Sequence, residues 1–282
     1  MSVQALSSTL AAPLAAPLAA PPWGPFSLGD GPDACLLLHG FTGSPHEVRP
    51  LGEALAAAGI RAVAPLLAGH GEAPEALLGV DRRDLYASAR EALRGLRGAR
   101  RVYCAGLSAG ALLALELCAR VRVREGDPDL AAVALLAPAI RFTGSLFLLG
   151  SVLGRLPSLP LPLMLRKGPR DLGAPQDRRL LGDGRRPDGS YGSVPLAWGR
   201  ELRLLSEEAL ALAHRVHAPA LVLQGALDRT VSPAGARLLC EKLGGRTVEL
   251  RTFARSGHLL PLDREGPAVC AAVTSFFSRP PA

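Results

Sequence analysis

The chain has 282 residues, 48% of them apolar, enough to bury one large core and carry an insertion. Its formal charge is +7 and its pI about 9.7, a balance that would suit a nucleic acid or an anionic surface. Only Lys167 and Lys242 are lysines, however, and the arginines are scattered among acidic neighbours, so no nucleic-acid partner is expected.

Residues 1–22 are rich in Ala, Pro and Leu and carry no charge. They lack a basic leading segment, and Pro13, Pro17, Pro21 and Pro22 interrupt any apolar helix, so a disordered tail is expected rather than an export signal. Ala34 to Leu38 is a continuous apolar run closed by His39-Gly40, which suits a strand buried on both faces of a parallel sheet. A helix is predicted from about Glu47 to Ala58, stopped by Gly59, then a strand at Arg61 to Ala64 ended by Pro65. Beyond a loop with Gly69-His70-Gly71, a helix is predicted from Asp81, a natural N-cap, to about Leu96.

Arg101 to Cys104 reads as the next strand and Ala111 to Leu117 as the next helix. Between them lies Gly106-Leu107-Ser108-Ala109-Gly110. A serine at a strand-to-helix joint sits on a tight turn that lifts its hydroxyl above the strand end, and small neighbours let strand and helix approach. Leu130 to Ala137 is a further apolar strand, ended by Pro138. Residues 139 to 206 then carry many Pro, Gly and Arg and no strand signal. Alternation resumes with a strand at Ala220 to Gln224, a helix at Pro233 to Leu243, a strand at Thr247 to Phe253 and a helix from Glu265 to Phe277.

Strands alternating with helices imply an α/β fold, a mostly parallel sheet with helices on both faces. The core is expected at 23–138 and 207–282, with 139–206 a helical cap insertion over the carboxyl edge of the sheet, where such folds bind ligands. The five cysteines are odd in number and show no metal-ligand spacing, so no metal site is expected and a reducing, cytoplasmic setting is. No apolar run free of Pro and charge reaches the roughly 18 residues of a membrane span.

A nucleophilic Ser108 needs a base and an acid to orient that base. Six histidines compete. His39 and His70 adjoin glycines at strand–loop junctions, where a histidine tends to bond the backbone, and His46, His214 and His217 lie in polar stretches. His258, in Ser256-Gly257-His258 after the last strand, is the candidate base. Asp228, a short loop beyond Leu221 to Gly225, is the candidate acid; Asp263, a few residues past His258, is its rival and a candidate cap of the closing helix.

The order Ser108, Asp228, His258 is that of an α/β-hydrolase triad. Together with Leu36-Leu37-Leu38-His39-Gly40-Phe41-Thr42-Gly43-Ser44-Pro45, Gly69-His70-Gly71 and Asp228-Arg229-Thr230-Val231, it makes the chain resemble the α/β-hydrolases, and among them bacterial small-cap carboxylesterases and monoacylglycerol lipases. The resemblance covers about residues 23 to 282, closely in the core and weakly in the insertion. It implies an oxyanion hole made by the backbone N–H groups of Phe41 and Ala109, although relatives often carry Leu or Met in place of Ala109. It further implies two-step acyl transfer to water on a small-molecule ester or lipid, with no cofactor. Ser108 where dehalogenases and epoxide hydrolases carry aspartate argues against their chemistry. A thioesterase, a carbon–carbon bond hydrolase, a perhydrolase or a non-catalytic binding module would share the same core, because fold does not set function.

The insertion has its own pattern. Leu146, Leu149, Leu153 and Leu156 recur at helical steps, Phe147, Leu148 and Val152 lie off that stripe, and Pro157, Pro160 and Pro162 force the chain out of helix. A helix apolar on more than one face suits a lid between an acyl chain and water, touching a membrane surface transiently; a core helix or a dimer interface would share the pattern. Leu149, Leu153 and Trp198 are the candidate acyl contacts, and monoacylglycerols or medium-chain esters the expected substrates.

Overall fold

The structure, a computed structural model, describes residues 21–120, 126–143, 163–167 and 182–279. Its centre is a seven-stranded sheet. The strands are β1 (Phe26–Leu28), β2 (Asp33–Leu38), β3 (Ile60–Ala64), β4 (Val102–Leu107), β5 (Leu130–Leu136), β8 (Ala220–Gly225) and β9 (Val248–Phe253), lying in the order β1-β3-β2-β4-β5-β8-β9. All neighbours run parallel except β1, which pairs antiparallel with β3 at the edge. β6 (Met164–Arg166) and β7 (Ser193–Pro195) form a separate antiparallel pair within 139–206. Neither they nor β1 show in the sequence, because three residues are too few to set a periodicity.

β2, β4 and β8 are buried along their whole length, which is why they read as unbroken apolar runs. The helices are α1 (Arg49–Ala57), α2 (Arg82–Arg94), α3 (Ala109–Arg120), α4 (Trp198–Leu212), α5 (Pro233–Lys242) and α6 (Gly266–Phe277). α1 packs against α6, and α2 and α4 pack against α3. α3 is buried from Ala109 through Leu117, all round rather than on one stripe, as a helix wedged between sheet and helices must be. Asp81 caps α2 as its sequence position implies: its side chain accepts from Arg83 and Asp84 N–H while Asp84 accepts from Asp81 N–H.

Two expectations shift. The helix predicted from Glu47 starts at Arg49, because Pro45 to Val48 form a tighter 3₁₀ turn first. α4 begins at Trp198 and runs across position 206; it buries Trp198, Leu202, Leu205, Ser206 and Ala209. Leu149 and Leu153 lie outside the described residues, as does most of the expected tail. Among the described residues no helix is long and apolar enough to cross a membrane.

The register decides where chemistry can happen. Leu38 pairs with Gly106, Leu107 with Leu136 and Gly225 with Phe253, so the carboxyl ends of β2, β4, β5, β8 and β9 finish along one edge. The loops bearing His39, Ser108, Asp228 and His258 all leave from it.

Candidate active site

Ser108 sits between the end of β4 and the first residue of α3 with φ 58°, a left-handed conformation that costs a non-glycine residue roughly 1–3 kcal/mol. Neighbouring structure holds it there: its N–H donates to Leu136 O at 2.8 Å. The flanking glycines are needed for clearance. A Cβ on Gly106 would come within 2.1 Å of Gly110 O, and one on Gly110 within 2.4 Å of Leu38 O. Both obstacles are backbone and have nowhere to go. Gly110→Ala is therefore expected to lower stability by about 1–3 kcal/mol or more through overpacking, read as an earlier urea midpoint at unchanged slope.

The loops at the sheet edge bring three side chains together from three separate parts of the chain. His258 Nε2 lies 2.9 Å from Ser108 Oγ, and His258 Nδ1 lies 2.9 Å from Asp228 Oδ2. All three residues are buried, with exposures of 8%, 8% and 7% for Ser108, Asp228 and His258. Burial by itself pushes the Asp228 carboxyl up, but the facing His258 imidazole and the Val231 and Thr230 N–H groups outweigh it and hold the carboxyl below its ordinary value. Those two N–H groups each donate to Asp228 Oδ1 at 2.9 Å, and Gln224 Nε2 donates to Oδ2 at the same distance. The acid therefore stays ionised and has one orientation. Gln224 is the residue the sequence reading passed over, though a lone amide closing the apolar run Ala220 to Leu223 was a signal.

Asp263 lies against the loop of His258. Asp263 Oδ2 accepts from Gly257 N–H at 2.7 Å, and Glu265 accepts from Arg255 N–H and Ser256 Oγ–H, each at 2.8 Å. The two carboxylates pin the loop that carries His258. Asp263 also sits at the entrance to the closing helix, its Oδ1 accepting from Arg264 N–H at 2.8 Å, while the N-cap position of α6 is Glu265, whose side chain accepts no cap bond. Glu265 is occupied by the loop instead.

His39 and His70 both bond backbone, and both as neutral rings. His39 Nδ1–H donates to Gly40 O at 2.9 Å while its Nε2 accepts from Leu67 N–H at 3.2 Å. His70 Nδ1–H donates to Ala68 O at 2.9 Å while its Nε2 accepts from Thr42 N–H at 3.0 Å. Burial pushes His39 down to about 4 and His70 down to about 3, so both keep the lone pair that the amide needs. His214 and His217 are exposed and His46 is half-buried, none of them at the Ser108 turn.

In the loop Gly40-Phe41-Thr42 the outer amides are already committed. Gly40 N–H donates to Glu47 Oε2 at 2.9 Å, and Thr42 N–H to His70. The Phe41 amide lies between them. Ala109 is the first residue of α3, where amides have no partner within the helix and the dipole favours a negative atom. Trp198 is 2% exposed, with its indole N–H on Leu77 O at 2.8 Å and its ring 4.4 Å from that of Phe41. It meets the site through the Phe41 ring. Among the described residues no cluster of metal ligands occurs.

Ser108 Oγ, the His258 imidazole and the Asp228 carboxylate thus form one buried hydrogen-bonded chain at the start of α3. Known proteins resemble the chain along most of its length. A thermostable monoacylglycerol lipase of Bacillus sp. (strain H-257) is 28% identical over 256 residues, 90% of this chain and 94% of that protein. A carboxylesterase of Bacillus subtilis (strain 168) is 23% identical over 90% of this chain and 96% of its own. The solved structure reported with LipS and LipT, two metagenome-derived lipolytic enzymes, superposes with a TM-score of 0.77 at 25% identity, covering 91% of this chain and 97% of that one. The model of the α/β-hydrolase family described as serine aminopeptidase, S33, matches residues 32–265, and the chain belongs to that family.

Proposed function

We propose that the chain is a serine hydrolase in which Ser108, His258 and Asp228 cleave carboxylic esters, monoacylglycerols or medium-chain esters among them, through an acyl-enzyme. The observation that carries this reading is the relay itself, two links of 2.9 Å from a buried carboxylate to a serine on a strained turn. In it His258 Nε2 takes the Ser108 proton as Oγ attacks the ester carbonyl, and Asp228 holds the Nδ1–H tautomer and steadies the imidazolium. The Phe41 and Ala109 amides receive the carbonyl oxygen as it becomes an oxyanion. His258 then protonates the departing alcohol. Water, deprotonated by the same nitrogen, attacks the acyl-enzyme and releases the acid.

The lipase and esterase relatives support esters as the substrate class. The family's description names a peptidase, so aminoacyl p-nitroanilides belong in the test panel with acyl-CoA thioesters and β-diketones. Turnover of p-nitrophenyl esters above all three is the expected result; a preference for any of the others would overturn the reading. A reducing, cytoplasmic setting accords with the free thiols of Cys35, Cys104, Cys118, Cys240 and Cys270.

The acyl preference is proposed from the sequence pattern of the insertion alone, in which Leu149 and Leu153 are the candidate acyl contacts and transient contact with lipid is expected. Each buried methylene contributes about 0.8 kcal/mol, nearly fourfold in kcat/KM, until the pocket is full. From acetate upward through palmitate, p-nitrophenyl esters are expected to show a rising and then falling profile that Leu149→Ser/Leu153→Ser flattens. A flat profile in the parent enzyme would count against a cap that reads chain length.

A further inference from the structure

Thr42 is the second non-glycine residue in this site with a left-handed backbone, at φ 62°, and it directly follows the Phe41 amide. Its conformation sets the peptide on the carboxyl side of Phe41 and hence the aim of the loop. Several groups converge on that one residue. Its N–H is held by His70 Nε2 at 3.0 Å, its carbonyl accepts from Tyr191 N–H at 2.8 Å, and its hydroxyl donates to Phe41 O at 2.6 Å. Lys167 Nζ also donates to that hydroxyl.

Tyr191 comes from the inserted stretch, far from this loop in sequence, yet it is fully buried. Its hydroxyl donates to Gly69 O at 2.8 Å and accepts from Glu72 N–H at 3.2 Å, clasping the loop that presents His70. Its ring lies parallel to the His70 imidazole, 6° from coplanar with centroids 5.8 Å apart. One side chain thus grips the support of Thr42 while its own backbone grips Thr42 directly. The same stretch adds two ties, Ser44 Oγ–H to Asp188 O at 2.6 Å and Arg185 to Gly71 O at 2.7 Å.

We propose that Tyr191 is a positioning residue for the oxyanion amide of Phe41, acting through His70 and Thr42. The insertion is then part of the catalytic frame as well as a cover over it. The inference rests on the ester-hydrolase reading given above.

A donor only 1 Å out of place is enough to cost about a hundredfold, so the loss falls on the transition state rather than on the bound ester. The experiment is steady-state kinetics on p-nitrophenyl butyrate, per active site titrated with a fluorophosphonate, for the parent, Tyr191→Phe, His70→Gln and His70→Leu. Tyr191→Phe keeps the ring and removes both hydroxyl bonds; kcat is expected to fall roughly tenfold to a hundredfold with KM within about twofold. His70→Gln retains an acceptor for Thr42 N–H near the Nε2 position and is expected to keep most of kcat, which His70→Leu loses. An unchanged kcat per titrated site in Tyr191→Phe would overturn the proposal. If that variant does not fold, equal kcat in His70→Gln and His70→Leu overturns it instead. A parent without ester turnover would be a failure of the function, visible before any variant is compared.

Discussion

Ser108→Ala is expected to abolish ester hydrolysis, by about 10⁴–10⁶ in kcat, while leaving the fold intact. Without Oγ no covalent acyl-enzyme forms, and the relay has no proton to take at its first step. The residual rate would come only from amides that still bind the oxyanion and from whatever water His258 can activate. Folding is a separate matter, because alanine retains a Cβ and thus the same cost at φ 58°. Ser108→Gly tests that cost. It is expected to be as inactive as Ser108→Ala and more stable by about 1 kcal/mol in urea unfolding, since glycine adopts the left-handed region without strain. Activity of Ser108→Ala within tenfold of the parent would remove Ser108 from the mechanism, whatever the stability of either variant.

Asp228→Asn should lower kcat by about 10³–10⁴, and Asp263→Asn should change it little. The carboxamide at 228 must place either NH₂ or C=O against His258 Nδ1. Gln224 Nε2 donates to Oδ2 and the Val231 and Thr230 N–H groups to Oδ1, so both atoms at this position must accept where an amide supplies only one acceptor. The imidazole then settles in the wrong tautomer or loses its partner. Asp263 accepts from Gly257 N–H at 2.7 Å and from Arg264 N–H at 2.8 Å; an asparagine oxygen keeps one of these bonds, and neither is to the His258 ring. Stopped-flow acylation with p-nitrophenyl acetate separates the two variants, because the defect at 228 belongs to the proton-transfer step. If Asp263→Asn were the slower of the pair, the orienting acid would be Asp263 and the role of Asp228 structural.

The centre of the sheet could be read from the sequence because its strands are buried on both faces and its helices end where chain chemistry ends them. Ala34 to Leu38, Leu130 to Leu136 and Ala220 to Gln224 have no polar face to disguise them. Asp81 and Gly59 mark helix ends through local bonds that need no tertiary partner. β1 and the pair β6 and β7 escaped, since their pairing partners, not their own three residues, make them strands.

That Ser108, Asp228 and His258 meet was legible for a related reason: each follows a strand, and parallel strands deliver their carboxyl ends to one edge. What stands behind them was not. That Asp263 ties down the His258 loop depends on how that loop folds back to bring Gly257 N–H onto its carboxylate. That Gln224 steadies Asp228, and Tyr191 braces His70, depends on side chains meeting across 4 and 121 residues in directions no spacing specifies. By itself the sequence determined the order of the longer core strands and the helices that alternate with them, the turn that presents Ser108 and the loops that carry Asp228 and His258, because these follow from local propensity and period. Only the tertiary structure decided which neutral histidines, amides and carboxylates hold those loops in place, because long-range contacts are set by packing and leave no period in the chain.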